Sequence, residues 1–155
     1  MKKAVVIGVI VAVLAAAIGL WRADESSARG MNWAGSGGWG PGAPYHRIYD
    51  PATVETIAGE VVKVDYLTPV KGMSYGVHLI LKSEKETVSV HLGPAWYIEN
   101  QDTALGPNDR IEVRGSRVAF EGKPVIIAAE VRKGGQTLKL RDDAGVPVWS
   151  GWRGK

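Results

Sequence analysis

His78 and His91 are the residues of this chain whose type and spacing best support chemistry, because the apolar pattern around them sets them opposite each other on one β-hairpin. Imidazole is the commonest protein ligand for zinc, copper and nickel, and it titrates near neutral pH. Val77, Leu79 and Leu81 alternate with His78, Ile80 and Lys82, while Val88, Val90 and Leu92 alternate with Thr87, Ser89 and His91. That period of two marks half-buried strands. With both apolar rows on one core face, Leu81 pairs with Val88, Leu79 with Val90 and Val77 with Leu92, which places His78 opposite His91. A two- or four-residue loop around Glu84 and Lys85 closes this register. Directly opposed residues hold their Cβ atoms about 4.5–5.5 Å apart, so two imidazoles can share an ion or a water.

A pair is not yet a metal centre, since a closed zinc site takes four ligands and a catalytic one usually three plus water. The candidate ligand set is His78, His91, Met73 in the preceding loop and His46 further upstream, with zinc or copper as the metal; Tyr75, Glu60 and Asp65 are further helpers. The alternative is two ordinary histidines on the outer face of a sheet. No cysteine is present, which excludes disulfides, thiolate sites and thiol nucleophiles. Neither a nucleophile-elbow glycine-serine motif nor a phosphate-binding glycine loop occurs. The acidic pairs Glu84/Glu86 and Asp142/Asp143 fall in predicted turns, where solvated charge is the ordinary explanation. The residues therefore point away from an enzyme.

The net charge is +3, but between Thr53 and Arg141 twelve Lys or Arg stand against eleven Asp or Glu, a difference of +1. A chain that reads many phosphates needs a basic stripe, so this balance argues against nucleic acid.

At the start, Lys2 and Lys3 precede seventeen apolar residues, Ala4 to Leu20, followed by Trp21 and Arg22. Residues 1–22 are thus expected to be a signal peptide or a membrane anchor, with residues 4–20 in the cytoplasmic membrane if uncleaved. Either outcome places the rest in the bacterial periplasm or on the outer face of that membrane. Residues 23–52 are rich in Gly, Ser, Ala and Pro with Trp33 and Trp39, and are read as a flexible linker; docking of its tryptophans on the domain, on lipid or on a partner is the second reading.

Residues 53–141 read as a β-domain. Thr53 to Tyr66 is a long strand interrupted by Gly59, where a bulge or bend is expected. The histidine hairpin follows, Gly93-Pro94 stops the sheet, and Ala95 to Gln101 forms a short helix. Arg110 to Phe120 and Val125 to Arg132 pair about a turn at Glu121-Gly122-Lys123, and Thr137 to Arg141 adds a last strand. Three strands, a helix and a further hairpin give a mainly β, five- to six-stranded OB-like barrel. Residues 142–155 form a C-terminal extension in which Trp149 and Trp152 either pack back or face a partner.

With its leader and the stretches AGEVVKV (58–64), VSVHL (88–92), DRIEVRGSRV (109–118) and IIAAEVRK (126–133), the chain resembles the small bacterial exported OB-fold proteins over residues 53–133. The resemblance implies a periplasmic barrel. The expected function is a non-catalytic binding or accessory module contacting a protein partner or small ligand through Trp33, Trp39, Trp96, Tyr97, Trp149 and Trp152. A periplasmic metal-binding protein built on the histidine pair is one alternative. Oligonucleotide or glycan binding by analogy of fold is the other, although the outward face of the hairpin carries no aromatic platform.

Overall fold

A computed structural model describes residues 37–150; the apolar run at 4–20, Trp33 and Trp152 lie outside the described residues. The described chain is mainly β. Two 3-10 turns, Pro44–Ile48 and Pro51–Thr53, lead into β1 (Val54–Leu67), β2 (Gly76–Lys82), β3 (Thr87–Pro94), the short helix α1 (Ala95–Ile98), β4 (Arg110–Phe120), β5 (Lys123–Lys133) and β6 (Gln136–Lys139). The six strands form one sheet in the order β3-β2-β1-β4-β5-β6, and β3 also pairs with β5 in parallel. The ladders therefore lead from β1 through β2, β3, β5 and β4 back to β1.

Strand β1 changes partner along its length. Val54 to Glu60 pairs with β4, whereas Glu60 to Leu67 pairs with β2. Gly59 stands at the changeover, where a Cβ would lie 2.5 Å from the Lys82 carbonyl oxygen, so the strand bends there because no side chain blocks β2. The β1–β2 register shift falls slightly later, between Val61 and Lys63, and turns Val62 out to solvent. Gly115 sits at the corresponding irregularity between β4 and β5.

The hairpin pairs Leu81 with Val88, Leu79 with Val90 and His78 with His91, closed by the four residues Ser83 to Glu86. One expected pair is absent: Val77 opposes Gly93, because a bulge leaves Leu92 as the extra residue of β3. Gly93-Pro94 does not stop the sheet either, since Pro94 still opposes Gly76. Strand β5 is buried without a break from Val125 to Val131, as a strand covered on both faces must be. Leu79, Leu81, Val90, Leu92, Ile126 and Val131 fill one side, at about 1.5–3 kcal/mol for each large side chain taken out of water.

The second cover comes from the two segments flanking the sheet. Of residues 23–52, read above as a flexible linker, Trp39, Tyr45 and Tyr49 belong to the core, with Trp39 only 1% exposed. Trp149 from the C-terminal segment is fully buried beside them. An indole has enough apolar surface to outweigh the backbone entropy of a glycine-rich stretch when a fitting slot exists. The slots are glycines. A Cβ on Gly76 would lie 2.5 Å from the Trp39 ring, and one on Gly93 would lie 2.8 Å from the Trp149 ring.

Candidate functional site

The bulge at Leu92 and the hairpin register bring His78 and His91 together with ring centroids 6.1 Å apart. Their surroundings differ from those of an open sheet face. Tyr45, delivered by the first 3-10 turn, places its hydroxyl 2.8 Å from His91 Nδ1 and lies nearly parallel to that ring, while Phe120 at the end of β4 meets it edge-on at 5.1 Å. His91 is 4% exposed. Burial, reinforced by His78 and Arg141, holds its pKa down at about 4, so it is neutral at physiological pH. His78 is half-buried, with its pKa lowered by burial and partly restored by Asp65, its partner across β1.

Met73 and His46 do not complete a ligand set. Met73 packs beneath Gly38 against the core, and His46 contacts Trp39, Tyr45 and Trp149. Among the described residues no three of His, Asp or Glu converge as a metal would require. The pair by itself supplies at most two of the four ligands that a closed zinc site takes.

Arg141 was not foreseen as a site residue, and it organises this interior. It is 1% exposed, its Nη1 donates to the carbonyls of Leu92 and Ala128, and its guanidinium lies 4.9 Å from the centre of the Trp149 ring. Leu92 is the bulged residue, so Arg141 caps a carbonyl that the hairpin ladder leaves over. Burial lowers its pKa to about 10, which leaves it cationic at neutral pH. Burial, reinforced by that cation, keeps His46 near pKa 4 against a favourable contact with the Trp39 backbone. The Leu138-Leu140 alternation hints at a strand but says nothing of Arg141, whose burial depends on Trp149 folding over it.

The expected aromatic contacts divide in the same way. Trp39, Tyr97 and Trp149 are buried and are structural; they cannot meet a partner without leaving the core. The Tyr97 and Trp149 rings lie 5.4 Å apart. Trp96 is half-buried and lines a surface cleft of about 590 Å³ with Tyr66, Ser74, Tyr75, Ala95 and Glu99. Tyr66 and Tyr75 meet edge-on at 6.2 Å and are 59% and 66% exposed; the Tyr66 hydroxyl donates to Glu99 Oε1 at 2.8 Å. In the sequence Tyr66 ends a strand and Tyr75 follows a loop, but nothing there foretells their exposure, 59% and 66%. Their meeting with α1 depends on the backbone bond from Ala95 N to the Tyr75 carbonyl.

A second surface hollow, of about 870 Å³, lies between the start of β1 and the β2–β3 loop, where the Arg117 guanidinium is paired with both Glu55 and Glu86.

No curated protein matches the sequence. The model of the MamS/MamX magnetosome protein family matches residues 53–138, which hold α1 and the six strands but for Lys139 and make up more than half of the chain. The chain therefore belongs to the MamS/MamX magnetosome protein family.

Proposed function

We propose that this protein is a non-catalytic accessory module of the magnetosome, held outside the cytoplasm, that works by binding a protein partner. Family membership supports the accessory role, and the charged apolar leader supports export. The circuit of ladders β1-β2-β3-β5-β4, with β3 and β5 parallel and a helix after β3, supports an OB-like barrel as its scaffold. The observation that carries the binding reading is the contrast in exposure. His91, His46 and Arg141 are turned inward, whereas Tyr66 and Tyr75 stand in solvent beside Trp96. Aromatic side chains grouped in a concave surface give a partner large contact area at small conformational cost.

The test is complementation in a magnetosome-forming host lacking the gene. The wild-type chain and the His78→Ala variant should restore normal magnetosomes. Tyr66→Ala/Tyr75→Ala, produced at the same level with the same melting temperature, should not. Full restoration by the tyrosine double variant would remove the cleft as the working surface.

A further inference from the structure

We propose that the Tyr66–Tyr75–Trp96 cleft receives the cationic side chain of a lysine or arginine presented by a protein partner. The inference rests on the reading of this cleft as the binding surface and adds the chemistry of its occupant. Three of the six lining residues are aromatic, two are small, and the one charged residue is Glu99. Aromatic faces carry negative electrostatic potential and attract an ammonium or guanidinium placed over them. A carboxylate beside those faces adds a hydrogen-bonded ion pair and makes the pocket selective for cations over neutral apolar groups.

The geometry suits this use. Tyr66 Oη donates to Glu99 Oε1, which fixes both side chains and leaves the second carboxylate oxygen to accept from a ligand. That bond, with the neighbouring carboxylate, raises the Tyr66 pKa, so the phenol keeps its proton and its donor role. Tyr75 is anchored through its backbone, since its carbonyl accepts from Ala95 N, while its ring projects into solvent. A phosphate or an acidic peptide would meet the Glu99 carboxylate here. The cleft, at about 590 Å³, holds an extended basic side chain together with flanking backbone.

The experiment is titration of the full-length chain in detergent with a fluorescent glycine-lysine repeat octapeptide, followed by anisotropy. Saturable binding is expected, weakened about tenfold when the lysines are acetylated and by a similar factor in Tyr75→Ala and in Glu99→Gln. Glu112→Gln, a carboxylate on β4 paired with Arg132, should bind like the wild type. Equal binding of the acetylated peptide, or an unchanged affinity in Glu99→Gln, would overturn the proposal. So would binding that appears only after residues 151–155 are deleted, because the cleft would then belong to the chain's own Arg153 and Lys155. If the peptide fails while the tyrosine double variant still fails to restore magnetosomes, the occupant is not cationic but the cleft remains the working surface. If the peptide binds and that variant restores them, the cleft recognises cations without serving the magnetosome.

Discussion

Two imidazoles enclosed with a guanidinium make the interior of this protein sensitive to acid. His46 and His91 are buried neutral, with pKa values near 4 against an ordinary 6.5, chiefly because burial penalises their charged forms. Arg141 adds repulsion to both, and His78 adds it to His91. Between about pH 6.5 and pH 4 the unfolded chain takes up protons at these positions while the folded chain does not. Stability therefore rises with pH across that window and is lost on acidification, by at most about 3 kcal/mol per histidine. Urea unfolding at pH 7 and at pH 4.5 should show a markedly lower midpoint at the acid value. His91→Phe should flatten the dependence. It should also lower stability at pH 7, because the buried Tyr45 hydroxyl loses its partner. An unchanged pH slope in His91→Phe would mean that His91 is not a titrating source of the loss.

At the scale of elements, glycines in the last pairs of the β2–β3 ladder decide whether the flanking segments can dock. Gly76 and Gly93 leave slots into which Trp39 and Trp149 fit, and an added methyl would stand 2.5 or 2.8 Å from a ring atom. Neither indole can move aside freely: Trp39 Nε1 donates to the Ser74 carbonyl, and Trp149 Nε1 donates to the Trp39 carbonyl. Gly76→Ala and Gly93→Ala should each cost about 1–3 kcal/mol by overpacking and shift tryptophan emission to the red. Wild-type midpoints and emission would refute the slot. The same elements show what a reader of the sequence can and cannot see. Period-two alternation was enough to pair His78 with His91, because a slip by one residue would expose Leu79 or Val90. It could not show the bulge at Leu92, whose carbonyl accepts from Arg141, 49 residues further along the chain. Nor could it show that the outward histidine is roofed, because Tyr45 comes from a stretch whose composition reads as a spacer. Local pattern reports the face a strand turns to its own sheet. The cover on its other face comes from residues far along the chain.

For the whole molecule, the folding unit is wider than the segment that carries the family. The matched residues, 53–138, contain every strand but Lys139 and omit Trp39, Tyr45, His46, Arg141 and Trp149. Those five close over β3 and β5 as four rings and one guanidinium: Trp39 meets Tyr45 at 5.2 Å and Trp149 at 6.2 Å, and the Trp149 indole hydrogen-bonds the backbone 110 residues before it. Each flank therefore needs the other, and the sheet needs both, since β5 has no solvent-facing polar row between Val125 and Ala129. A segment limited to residues 53–141 would expose Ile127 and His91 and would leave Arg141 without its tryptophan. Loss of a buried tryptophan alone costs about 3–5 kcal/mol, a large share of the total stability of a domain this size. Residues 37–150 should unfold in one cooperative transition, whereas residues 53–141 should either fail to fold or melt far lower, as circular dichroism would record. In the full-length chain, Trp39→Ala and Trp149→Ala together should cost less than the sum of the two alone, because either one already opens the same cover. Strict additivity, or a 53–141 fragment as stable as 37–150, would mean that the strands stand alone and that the two flanks merely lie on them.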